Sequence, residues 1–177
     1  MEKPLAMGLR KPPSHVLSED EIRQLKDDIH SIGADESIFI FNSVFVRGTC
    51  YRPQDDKIHV KGNVLSDCNS AHPRDLMSPR AVLAHEYHGH RPYREQYLSE
   101  FEILDSSEDE FLLTLSNREW ADEFRASYMA AKSSPGLSDD EKYYLILDAL
   151  ERAKAANVSI SYNDFIRRVL YGKDQFE

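Results

Sequence analysis

The sequence predicts an α+β fold: one domain in which a small antiparallel or mixed sheet packs on a histidine-bearing helix and a helical half follows. Three observations lead there. Short runs rich in β-branched and aromatic residues cluster between residues 38 and 60. Apolar residues at helical spacing dominate the chain after residue 78. The 177 residues, 41% of them hydrophobic and 10% aromatic, suit a single sizeable core.

Taken in order, Ser18 with Glu21 forms a capping box that opens a helix with Ile22, Leu25, Ile29 and Ile32 on one side, and Gly33 ends it. Ile38–Phe41 and Val44–Val46 read as strands. Thr49–Arg52 and Lys57–Val60 flank the turn Pro53–Asp56 and predict a hairpin. Gly62 to Met77 reads as a loop. Ser78 and Pro79 then supply an N-cap and a first helical residue for a helix that Pro92 closes. Capping patterns at Ser106–Glu110 precede a helix from Phe111 through Met129. Ser133–Gly136 interrupts it, and Ser138 with Glu141 caps another helix containing Tyr144, Leu147 and Leu150 or its neighbours. A last short helix covers Phe165 to Tyr171.

Residues 1–15, with Lys3, Arg10 and Lys11 among Pro4, Pro12 and Pro13, read as a flexible tail, and 16–177 as the folded domain. The formal net charge is −9, which argues against a nucleic-acid partner, since phosphate binding is built on excess Lys and Arg. No apolar run approaches a membrane span or a secretory signal, so the expectation is a soluble cytoplasmic protein without a membrane partner. Only Cys50 and Cys68 are present, too few for a disulfide framework and without metal-binding CxxC spacing; Cys68 to His72 is a weak ligand cluster at best.

The chemistry is concentrated in His85-Glu-Tyr-His-Gly-His90, three histidines within six residues and a glutamate beside the first. Imidazole is the commonest metal ligand, and a neighbouring glutamate can take a proton from a water on the metal. The usual zinc-protease spacing of His at i and i+4 is absent, because Gly89 holds that position. At about 100° per residue, His85 and His88 lie roughly 60° apart on an ideal helix, whereas His85 and His90 lie roughly 140° apart. Regular geometry thus favours His88. One extra residue accommodated as a π-bulge would instead bring His90 round to the face of His85, and Gly89 is the residue most tolerant of such a distortion.

His-Glu-x-x-Gly-His resembles the motif of the dipeptidyl peptidase III family of zinc peptidases. The resemblance covers six residues of a chain far shorter than those enzymes, and is one of motif only. It implies that His85 and His90 bind zinc, that Glu86 is the base and that His88 is a neighbour or an alternative ligand.

Catalytic zinc sites commonly use three protein ligands, so a third is expected. In Asn117–Met129 the stripe Trp120, Phe124 and Tyr128 marks a helix carrying Glu119 and Glu123 one turn apart. In zincins whose third ligand is glutamate, an acidic residue four positions on typically orients a ligand histidine, and Glu119-Trp-Ala-Asp-Glu123 looks like that arrangement. The resemblance assigns Glu119 to the metal and Glu123 to holding an imidazole. The reverse order is supported by Asp122-Glu-Phe-Arg-Ala126, which resembles an element of the dipeptidyl peptidase III family whose second acid binds zinc.

A small sheet followed by a His helix and a Glu helix looks like a compact zincin. That resemblance implies a zinc-dependent metallopeptidase acting on a protein or peptide, with an edge strand beside the cleft. The segment Lys57 to Gly62 is the candidate edge. Tyr87, His88, Tyr93, Tyr128 and His72 are candidates to stabilise an oxyanion. Two other classes stay open: a metal-binding protein without proteolytic activity, and an acidic interaction module.

Overall fold

The computed structural model describes residues 10–66, 76–94 and 118–172, with the side chains of residues 118 and 119 left aside. The expected capping region at 106–110, the start of its helix at Phe111, Cys68 and His72 therefore lie outside the described residues.

The first helix, α1 (Glu19–Ser31), starts at the expected capping box, in which Ser18 accepts from the Glu21 amide and Glu21 from the Ser18 amide. Leu25, Ile29 and Ile32 are fully buried on one side, and the chain leaves through Gly33 at φ +67, a conformation that costs glycine little.

The expected sheet is present and mixed. Its strands are β1 (Phe39–Phe41), β2 (Cys50–Arg52) and β3 (Lys57–Val60), in the order β1-β3-β2. β1 runs parallel to β3 and β2 antiparallel to it, with Phe39 opposite Ile58 and Tyr51 opposite Ile58 on the other side. The edge expected at Lys57–Gly62 is corrected: β3 is the central strand. The physical reason is burial, for Ile58, His59 and Val60 are all fully buried while every residue of β2 is only partly so. β2 therefore forms the edge that faces the histidine helix.

The strand expected at Val44–Val46 is absent, and Val44 and Phe45 are exposed. Side chains that bond backbone end β1 instead. Asn42, at φ +54, accepts from the Leu17 amide and donates to the Leu17 carbonyl, and the Ser43 hydroxyl accepts from the Phe45 amide.

The histidine helix, α2 (Pro79–Ala84), opens at Ser78, whose hydroxyl accepts from the Ala81 amide, and continues without a break into a π-helix over His85–His90. Its start is tied to that of α4 (Asp139–Ala155), because Glu141 accepts from the Arg80 guanidinium at 2.9 Å and from the Ser78 hydroxyl while completing its own capping box with Ser138. Before α4 stands α3 (Arg118–Ser133), which packs along both α4 and the π-helix. On α3 the expected stripe is buried: Trp120 meets Phe124 edge-on, and Phe124 stacks on Tyr128. The buried face of α4 falls on Leu145, Ile146 and Ala149, the neighbours of the expected positions. The last helix, α5 (Asp164–Tyr171), caps on Asn163.

Residues 10–15, read from composition as tail, lie against the stretch after β3. The Arg10 guanidinium donates to the carbonyls of Asn63, Val64 and Met77, and the Lys11 amide donates to Leu65. No helix among the described residues is long and apolar enough to cross a membrane.

Candidate metal centre

The π-helix decides which histidine meets His85. The Arg91 amide bonds the carbonyl of Glu86, five residues back, so one turn takes an extra residue and His90 comes round beneath His85. Their rings meet edge-on with centroids 4.8 Å apart and their Nε2 atoms 3.1 Å apart. His88 points the other way, with its Nε2 2.7 Å from the Ile32 carbonyl. The distorted turn is anchored at its far end by Arg91, which forks onto Asp56 in the β2–β3 turn at 3.0 and 3.1 Å. The Tyr51 hydroxyl donates to the same carboxylate.

The carboxylate that joins the two imidazoles is that of Glu123. One of its oxygens lies 3.1 Å from His85 Nε2 and the other 3.5 Å from His90 Nε2. Glu123 is the residue that the zincin resemblance assigned to holding an imidazole and that the reverse order made the ligand. The side chain of Glu119, the assigned ligand, lies outside the described residues. His85, His90 and Glu123 form the group of described residues able to hold a metal ion. Taking one atom from each residue, the ligand atoms lie within 4.8 Å of one another, and bonds of 2.0–2.1 Å to a tetrahedral ion would draw them to about 3.3–3.4 Å apart.

The electrostatics around this group are mutually reinforcing. Burial alone would lower the His90 pKa, but the Glu123 hydrogen bond and the charges of Glu86, Glu123 and Asp122 outweigh it and raise it to about 9. Burial pushes Glu123 upward, yet the two imidazoles hold its carboxyl far below the usual carboxylate range. Arg152 lies 3.3 Å from Glu123 and remains cationic: Asp148 and Glu123 raise its pKa against the effect of burial.

Glu86 is buried beside the sheet edge, where its Oε2 accepts from the Tyr51 amide of β2 at 2.8 Å. A cleft of about 670 Å³ opens over this arrangement, lined by His85, Glu86, His90 and Glu123 below and by Cys50, Tyr51, Tyr93 and Arg152 around them. Of the residues considered for an oxyanion, Tyr93 lies in the cleft wall beneath the Arg125 guanidinium. Tyr128 is fully buried against Asn163, and Tyr87 accepts from the Asp35 amide.

Three contributors were not singled out in the sequence: Ser127, Asp148 and Arg152. The readable signal was positional. Ser127 continues the Glu119, Glu123 spacing by one more turn, and Asp148 with Arg152 puts an i, i+4 ion pair beside the apolar face of α4. Compared with protein-family models, curated proteins and solved structures, the chain matches none.

Proposed function

We propose that this chain is a zinc-dependent hydrolase, most simply a peptidase, with zinc held by His85 Nε2, His90 Nε2 and the Glu123 carboxylate. The observation that carries the reading is the convergence of these three side chains on a π-helical turn, with His85 Nε2 3.1 Å from both His90 Nε2 and one Glu123 oxygen, and His90 Nε2 3.5 Å from the other Glu123 oxygen. Two imidazoles and a carboxylate make a donor set suited to zinc. The order of sheet, histidine helix and glutamate helix supports a compact zincin-like domain.

Zinc in such a site supplies a Lewis acid that activates water and polarises a carbonyl. Glu86 is the group that accepts the proton. Its carboxylate borders the cleft beside the ligands and is oriented there by the Tyr51 amide. That amide belongs to the edge strand, so an extended substrate pairing along β2 would lie next to the base. Arg152 and Tyr93 are among the cleft residues able to meet negative charge developing on the carbonyl oxygen.

Metal analysis of protein purified without a His tag tests the site: about one equivalent of zinc is expected, lost in His85→Ala. Incubation with a mixed peptide library tests the reaction. Glu86→Gln should keep its zinc while cleavage falls by roughly 10² to 10⁴, the usual loss for a general base. A zinc-free wild type would leave no metal site, and zinc-loaded protein that cuts no peptide would leave a metal-binding protein that is not a peptidase.

A further inference from the structure

Behind the cleft, a closed ring of polar contacts joins two of the three converging side chains. From His85 Nδ1 it passes to Ser127 Oγ at 2.8 Å and from there to Asp148 Oδ2 at 2.6 Å. The same Asp148 oxygen accepts from Arg152 Nε at 2.9 Å. Arg152 Nη1 lies 3.3 Å from Glu123, whose carboxylate returns to His85 Nε2 at 3.1 Å. Ser127 and Asp148 are fully buried, so water cannot substitute for either of them.

Donor and acceptor chemistry fixes the direction of the ring. Asp148 Oδ2 accepts from the Arg152 guanidinium and from Ser127, and the serine hydroxyl has one proton to give. Ser127 gives it to Asp148. Its oxygen must then accept from His85, which requires the proton of that imidazole to sit on Nδ1. The nitrogen left for a metal is Nε2, the one aimed at His90 and Glu123.

We propose that Ser127 and Asp148 are positioning residues that set the tautomer of His85, and that Arg152 closes the ring by tying Asp148 to Glu123. The proposal rests on the reading of His85, His90 and Glu123 as zinc ligands. It adds that the second nitrogen of one ligand is controlled through a serine from a different helix. The arrangement also explains why a carboxylate is buried on α4: its charge is matched by Arg152 and used by Ser127.

The test has two independent readouts. Nitrogen-15 NMR of the imidazoles in zinc-loaded protein, with His85 assigned by its loss in His85→Ala, should show a proton on His85 Nδ1 in the wild type. Zinc affinity, measured by competition with a chromophoric chelator, should fall about 10- to 100-fold in Ser127→Ala, as expected for loss of a partner that orients a ligand. Ser127→Thr, which keeps the hydroxyl, should restore most of it. An unprotonated Nδ1 in the wild type overturns the proposal even if no variant folds. Wild-type zinc affinity in Ser127→Ala overturns it too, while leaving the metal site standing. A wild type that binds no zinc overturns the metal reading and this proposal together.

Discussion

Gly89 lies so close to Ala126 that a β-carbon on it would stand 2.2 Å from the Ala126 carbonyl oxygen. The contact is backbone to backbone, between the π-helix and α3, and neither side can swing away as a flexible side chain would. This glycine therefore does two things: it tolerates the distorted turn, and it lets the π-helix that carries the histidines approach the helix that brings Glu123 and Ser127.

Gly89→Ala should consequently destabilise the protein, although alanine is the better helix former by about 1 kcal/mol. Overpacking of this kind costs about 1–3 kcal/mol, and separation of the two helices should also weaken zinc binding. Urea unfolding and zinc titration of the variant check both effects. A more stable variant with full zinc affinity would mean that the two helices do not pack this closely.

His90→Ala should lose more metal than His88→Ala. His88 bonds the Ile32 carbonyl at the end of α1 and faces away from the centre, so its removal should cost about 1 kcal/mol of stability and leave zinc bound. The reverse order of metal loss, read by elemental analysis, would require a regular helix in place of the π-helix.

Glu123→Gln should weaken zinc binding more than Glu119→Gln, and by at least the 10- to 100-fold typical of an orienting partner. Chelator competition on the two variants decides between the glutamates. A stronger effect at Glu119 would restore the ligand order that the zincin resemblance implied.

Glu141 should make the junction of α2 and α4 acid-sensitive. Burial pushes its carboxyl upward, but the Arg80 guanidinium, the Ser138 amide and the Ser78 hydroxyl outweigh this and bring it down to about 2. A carboxyl with a depressed folded pKa contributes stability that is present above its unfolded value of about 4.5 and is lost as pH falls through about 2. The difference in unfolding free energy between wild type and Glu141→Gln should therefore be about 3 kcal/mol at neutral pH. It should shrink between pH 4.5 and 2. A constant difference across that range would show that the carboxylate's charge is not what holds the junction.

Local signals in the chain were sufficient for the α+β class, for the capping boxes at Ser18 and Ser138, and for the start of the histidine helix at Ser78. Each of these depends on residues within one turn of each other, so sequence spacing carries it. The pairing of His85 with His90 was legible as one of two geometries, with Gly89 as the clue, because helix periodicity limits which side chains can share a face. Periodicity could not choose between a regular and a distorted turn. That choice belongs to tertiary contact: the clamp of Arg91 on Asp56 and the close approach to Ala126 fix the extra residue in place. The central position of β3 was likewise decided across the sheet, by a parallel pairing with β1 that no turn signal encodes. The meeting of Glu123 with two imidazoles from another helix, and the link from His85 through Ser127 to Asp148 on a third, depend on how α2, α3 and α4 pack. Sequence alone determines which faces are apolar and which carry chemistry. Only packing decides which of those faces meet, because the energy of meeting comes from burial shared between segments far apart in the chain.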